Sequence, residues 1–237
     1  MDSIRIPSWL RLALVAGVVV LVTGAALFGY RWYSRPATLT IAVGSLDGEA
    51  TKLMSALASR LAAANAPVRL KLVETTSALE AAEMFSSSKT DLAVVRGDVG
   101  DLSQAQAIIV LAHAVVFLVA PPGSSIADIA GLKRLTVGVV GGDMNRNVVS
   151  ALTEEYDLGR ASVTFRNLSL SETRRALDNK EVRALLMVVP LAEKYLTMLR
   201  GFFPQSPKTA PVLIPVDAAG AIAGKHRAYE SFDVPKG

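Results

Sequence analysis

A strand–turn–helix unit that occurs twice constrains this chain more than any other feature. Leu39 to Leu61, LTIAVGSLDGEATKLMSALASRL, reads as a short apolar strand (Leu39 to Val43), a turn at Gly44-Ser45 and an amphipathic helix. An apolar run that ends in Gly is the pattern of a parallel strand covered on both faces. The helix sets Leu53, Leu57 and Leu61 on one stripe, with Ala50, Met54 and Ala58 beside it, and Asp47 is placed to cap its start. Leu135 to Leu152, LTVGVVGGDMNRNVVSAL, repeats the unit, with a Gly141-Gly142 turn and an acidic residue before the helix. Downstream, Val68 to Val95 and Val163 to Val189 each read strand, Ser/Thr-rich turn, helix, polar turn, strand. The offset is 96 residues at Leu39/Leu135 and 95 at Val68/Val163, so the register barely drifts. Two βαβαβ lobes with a cleft between them follow. In open α/β sheets ligands bind beyond the carboxyl ends of the strands, where the next helix presents unpaired N–H groups.

A second feature precedes the lobes. Leu12 to Tyr30 is 19 residues without a charge. As a helix it spans about 28 Å, close to the hydrocarbon thickness of a bilayer. Trp9, Tyr30, Trp32 and Tyr33 flank it as interfacial aromatics do. The expectation is a retained single-pass anchor. The alternatives are a cleaved signal peptide, against which the long apolar run and the lack of a clean A-x-A site speak, and a buried core helix, against which the absence of a polar face speaks. Residues 1–36 carry four arginines and one aspartate, so the net charge of +4 leaves the remainder near neutral. Such a remainder carries no signal for nucleic acid. Arg5 and Arg11 before the span and Arg31 and Arg35 after it leave orientation open by charge alone.

The expected boundaries are an anchor and tether at 1–37, the first part of lobe 1 at 38–114, lobe 2 at 115–210, and a return to lobe 1 at 211–237, on a chain expected to continue beyond its last residue. Ala107 to Ala120, AIIVLAHAVVFLVA, is expected as two strands, or one long strand, crossing between lobes. Ser77 with Glu80 and Ser169 with Glu172 have capping-box spacing. Pro190 is expected to open a helix.

Chemistry is sparse. The chain has no cysteine, which excludes disulfides, thiol catalysis and Cys-ligated zinc. Its two histidines, His113 and His226, have no metal-ligand spacing, and His113, in an apolar run, is expected in the core. Neither G-x-S-x-G nor a phosphate-binding Gly-rich loop ending in Lys-Ser/Thr occurs. No catalytic residue, metal or cofactor is expected. Arg96, at a strand's carboxyl end, is the best anion candidate, because a guanidinium holds a carboxylate by two points; the competing reading pairs it with Asp98 or Asp101. Gly141-Gly142 either presents N–H groups to an anion or forms a tight turn that needs φ > 0. Ser77 is either a ligand contact or only a helix cap.

The order of elements behind an anchor resembles the periplasmic solute-binding proteins, with their two-lobed type II fold. The local wording is similar to the TAXI-type receptors of TRAP transporters, in a membrane-anchored form. The resemblance rests on IAVGS before a helix, on Thr75-Thr76-Ser77 before Leu79-Glu80, and on KTDLAVVRGD (Lys89 to Asp98). It rests also on LKRLTVGVVGGDMNRNVVSAL and on the late VLIPVDAAGAIAGKHRAYESFDVPKG. It implies an inner-membrane protein with its lobes in the periplasm and no chemistry performed. It also implies a small organic acid or amino acid as ligand, and the transporter's membrane subunits as partners. Carried over residue by residue, it implies a cleft rim of Gly44 and Ser45, then Thr75, Thr76 and Ser77, then Arg96 and Asp98. Across the cleft it implies Gly141, Gly142, Met144 and Asn145, with Pro190 after the last lobe-2 strand. The first turn departs from the family: Leu46-Asp47-Gly48-Glu49 stands where a Gly-rich turn and Tyr are usual. A second expectation, from another class, is a sensor or interaction module that keeps the fold and binds no small molecule. An enzyme is the weakest reading, since no nucleophile–base set is visible.

Overall fold

The computed structural model describes residues 8–33, 35–44, 48–203 and 210–234. It begins with one helix, α1 (Ser8–Tyr33), whose apolar span Leu12–Trp32 is long enough to cross a membrane and is not buried against the rest of the chain. At its end Phe28 stacks near Trp32, and the Arg35 guanidinium lies 5.2 Å over the Trp32 ring.

The duplicated pattern folds as two sheets. The first holds β1 (Ala37–Val43), β2 (Val68–Glu74) and β3 (Leu92–Val94) in the order β2-β1-β3, all parallel, with α2 (Glu49–Ala63) and α3 (Ala78–Ser86) as crossovers. The second repeats that order as β6-β5-β7, from β5 (Thr136–Val140), β6 (Thr164–Leu168) and β7 (Ala184–Pro190), with crossovers α4 (Arg146–Glu155) and α5 (Leu170–Asp178). It then adds β4 (Ala114–Ala120) antiparallel to β7, and β8 (Val212–Leu213) antiparallel to β4. The helices α6 (Glu193–Gly201) and α7 (Ala219–Lys225) complete the described elements.

The two lobes differ in core size. In lobe 1 only Ile41, Val43 and Met54 form the buried cluster, with Leu70, Leu72, Leu92 and Val94 against it. In lobe 2 the period-2 alternation of β4 and β7 sends Leu118, Ala120, Ala184 and Leu186 to one face and Phe117, Val119, Leu185 and Met187 to the other. Helix α4 covers the first face with Val148, Ala151 and Leu152; α5 covers the second with Ala176 and Leu177.

Several expectations change. On α2 the inward face is Ala50, Met54 and Ala58, while Leu53 and Leu57 are exposed. Small residues let the helix lie close on a narrow three-stranded sheet, and that rotates the leucines outward. Of Ala107 to Ala120 only β4 is strand; Ile108, Ile109 and Val110 are 64–78% exposed, since no described strand pairs with them. The segment from 211 does not return to lobe 1: β8 joins the lobe-2 sheet, and Ile214 and Ile222 belong to its core. Tyr156, the C-cap residue of α4, fastens it further by donating to Asp217 Oδ1 at 2.6 Å and accepting from Ala218 N–H at 2.8 Å. Pro190 closes β7 rather than opening a helix; α6 begins three residues later. His113 is not in the core. Its side chain is 74% exposed, with Nδ1 3.0 Å from Glu230 Oε1. Asp47, expected as a cap, lies outside the described residues, where Gly48 takes the N-cap position with φ 71°.

Candidate functional site

The carboxyl ends of β1, β2, β3 and β5 supply the expected rim. Gly44 follows β1 and packs against the turn after β2 so closely that a Cβ there would lie 2.5 Å from the Ser77 carbonyl oxygen and overlap Thr75 Oγ1. Thr75 N–H donates to Val43 C=O at 2.9 Å, which locks the two turns together. Ser45 lies outside the described residues.

The hydroxyls of the second turn are engaged locally. Thr75 Oγ1 donates to Ser77 C=O at 3.1 Å. Thr76 donates both its N–H and its hydroxyl to Glu80 Oε2 at 2.7 Å, and these two bonds hold the Glu80 carboxyl below the usual range. Ser77 Oγ accepts from Glu80 N–H at 3.2 Å, so Ser77 is the N-cap of α3.

Arg96, two residues past β3, crosses to the other lobe. Its Nε donates to Asp98 Oδ1 at 2.5 Å and its Nη2 to Asp98 Oδ2 at 3.0 Å, a two-point fork. Nη1 donates to Asn145 Oδ1 at 2.8 Å and Nη2 to Met144 C=O at 2.5 Å. Asn145 is buried and is itself held by donating Nδ2 to Val140 C=O at 2.7 Å. The pairing with Asp98 is therefore realised, and it extends into an interlobe network. Gly141 and Gly142 adopt φ 99° and 57° at the end of β5, the tight turn that requires glycine. That turn delivers Met144 and Asn145 to Arg96, while Asp143, beside it, pairs with Arg146 at 3.1 Å. Pro190, opposite Ala114 at the end of β7, takes no part in the network.

Two further residues join it. Asn147 donates Nδ2 to the Asp98 carbonyl at 2.5 Å, and Tyr229 donates its hydroxyl to Asp98 Oδ2 at 3.1 Å. Burial, then the Asp98 charge, raises the Tyr229 phenol well above its ordinary range, so it stays a donor. Asn147 stands two residues from Asn145 inside the quoted GGDMNRN stretch. Tyr229 is 131 residues from Asp98, and no local signal marks it. A second interlobe contact joins Lys194 Nζ of α6 to Glu49 Oε1 of α2 at 2.9 Å, and it holds the Glu49 carboxyl below its usual range.

A cavity of about 1000 Å³ opens beside Arg96 and Asp98. Val110, Phe117, Leu152, Ile214 and Phe232 give it mainly apolar walls, and Arg227 stands in its lining. Gly44, Thr75 and Gly141 do not line it. Among the described residues no group of three or more His, Cys, Asp or Glu is placed to hold a metal ion.

No protein-family model matches the sequence, and no curated protein matches it. Solved structures do. The probable amino-acid ABC transporter extracellular-binding protein ytmK from Bacillus subtilis is similar at TM-score 0.51 and 13% identity, over 76% of this chain and 79% of that one. The periplasmic aliphatic sulphonate binding protein SsuA from Escherichia coli is similar at TM-score 0.48 and 18% identity, over 70% of this chain and 58% of that one. The alkanesulfonate-binding protein SsuA from Xanthomonas axonopodis pv. citri gives 0.46 and 17%, over 76% and 61%. The chain thus spans about three fifths of the length of both sulfonate-binding structures. The fold is the two-lobed, type II periplasmic-binding-protein-like fold, preceded by one apolar helix.

Proposed function

We propose that this chain is a membrane-anchored extracytoplasmic solute receptor that performs no catalysis. In this reading α1 holds it in a bacterial inner membrane with the lobes in the periplasm. It takes a small organic acid or amino acid and presents it to the membrane subunits of a TRAP-type transporter. The observation that carries the reading is the convergence of strand ends. The turns after β1 and β2 are bonded to each other, and Arg96, in the turn after β3, reaches from one lobe to Asn145 and the Met144 backbone just past the glycine turn after β5. Two lobes that close on a solute need such a hinge-facing crevice. The wording of the Lys89–Asp98 and Leu132–Leu152 stretches supports the TAXI-type assignment, and the extracellular amino-acid-binding neighbour supports the ligand class.

The test is thermal unfolding of the full chain in detergent micelles against dicarboxylates, keto acids, amino acids and sulfonates. A ligand at about 1,000 times its dissociation constant adds roughly 4 kcal/mol, several degrees in midpoint for a chain of this size. A shift confined to one chemical class is the expected result.

A second reading is favoured by one observation: the side-chain hydroxyls of Thr75 and Thr76, and the fork of Arg96, already have partners inside the protein. This would be an interaction module on the same fold that binds no small molecule and engages a membrane partner. A flat panel on folded protein, with a partner crosslinked to α1, selects it.

A further inference from the structure

We infer that Asp98 is a resident carboxylate seated on Arg96 in the place a solute's carboxylate would occupy, latching the lobes together with no solute bound. The inference takes the crevice to be a solute site, as proposed above.

The donor inventory of Arg96 leads to it. A guanidinium has five N–H groups. Nε and one Nη2 hydrogen go to the two oxygens of Asp98, the other Nη2 hydrogen to Met144 C=O, and one Nη1 hydrogen to Asn145 Oδ1. A single Nη1 hydrogen is left, so no second two-point face remains for an incoming acid. The Asp98 side chain is 4% exposed against 24% for Arg96, and Tyr229 supports the oxygen that faces Nη2. Asn147 fixes the Asp98 carbonyl from lobe 2, and Val99 N–H donates to Arg96 C=O at 3.0 Å, closing the turn that folds Asp98 back onto Arg96. The carboxylate is thus held by the Arg96 fork and the Tyr229 hydroxyl while its backbone is pinned by Asn147, and the fork is the geometry that recognises a free carboxylate. Both residues line the 1000 Å³ cavity, so the seat has an approach for a small molecule.

An intramolecular carboxylate competes at high effective concentration. The apparent affinity of any acid for Arg96 is its intrinsic affinity multiplied by the fraction of time that Asp98 spends away from it. A solute of the wild-type protein that binds through Arg96 must displace Asp98.

The test is chemical rescue in the full chain in detergent micelles. Asp98→Ala vacates the seat, and sodium acetate and propionate are the probes. Acetamide and sodium chloride at matched ionic strength are the controls. Expected are a lowered midpoint for Asp98→Ala, a saturable rise with acetate but not acetamide, and acetate binding about tenfold or more tighter than in wild type. The Arg96→Ala/Asp98→Ala double variant should not respond. Folded Asp98→Ala that responds no better than the double variant overturns the inference, as does wild type responding as strongly as Asp98→Ala. If Asp98→Ala does not fold, nitrogen-15 NMR of wild type decides, with the Arg96 Nε–H assigned through Arg96→Lys. A slowly exchanging resonance that weakens in Asp98→Asn supports the seat, and one in fast exchange with water refutes it. Acetate rescue of Asp98→Ala beside a flat solute panel on wild type would sink the receptor reading and leave the seat standing. A solute shift equal in wild type and Asp98→Ala, with no acetate rescue, would do the reverse.

Discussion

Substituting Gly44 by alanine tests whether the first two turns form one rigid edge of the crevice. The new Cβ would sit 2.5 Å from the Ser77 carbonyl oxygen and 2.7 Å from its carbon, and would overlap Thr75 Oγ1. Two of these three atoms are backbone, and the Ser77 backbone is tied into the cap of α3, so no rotamer change relieves the contact. Overpacking of this kind costs about 1–3 kcal/mol, and a backbone obstacle places this site at the upper end, about 2–3 kcal/mol. At roughly 2–4 °C per kcal/mol the midpoint of the full chain should fall by about 4–12 °C. Circular dichroism measures that fall. Hydrogen exchange of the Thr75 N–H, bonded to Val43 C=O at 2.9 Å, localises it to lobe 1. Adding Thr75→Ala removes the hydroxyl overlap but not the carbonyl, so recovery should be partial. A Gly44→Ala protein as stable as wild type, or full recovery by Thr75→Ala, would refute the reasoning.

Arg96→Ala leaves a nearly buried Asp98 carboxylate with Tyr229 as its one side-chain donor. It should cost about 3 kcal/mol, while the double variant with Asp98→Ala should cost less than Arg96→Ala alone, read by denaturant unfolding. Ser169→Ala removes the side-chain half of the capping box on α5, leaving Glu172 its bond from the residue-169 backbone N–H, and should cost about 1 kcal/mol by the same measurement, against little change for Ser171→Ala. Burial, then the bond to Asp217, raises the Tyr156 phenol to about 12. The folded state therefore keeps a proton that the unfolded chain loses near pH 10, and stability is full below that pH and declines between about 10 and 12. Tyr156→Phe should flatten part of that alkaline decline; an unchanged slope would show that the shift is absent.

The elements that were legible in the sequence are those whose signals are local. The strand runs of β1, β2, β5 and β7, the serine caps of α3 and α5 and the Gly141-Gly142 turn each depend on a few neighbouring residues, and the 96-residue offset links the two copies. The rotation of α2 was not legible, because Leu53 and Met54 are equally apolar and the fit of the helix against the sheet, which is not local, decides which turns inward. The destination of the 211–234 segment was hidden for a related reason: two residues of β8 carry no mark of which edge they join. At the site, the Arg96–Asp98 pair could be read from spacing. Asn145 stood among the rim residues that the resemblance implied, but closure by Asn147 and Tyr229 could not be read, since those partners come from the other lobe. His113 was misplaced because an apolar run implies burial only where a neighbouring strand covers it.

Only residues 34–36 separate the end of α1 from the first residue of β1. Three extended residues reach about 10 Å. With α1 in a bilayer, lobe 1 therefore rides within a side chain or two of the lipid headgroups. Its meetings with any membrane partner are then governed by lateral diffusion and by copies per unit area, so diluting the surrounding fluid would leave them unchanged.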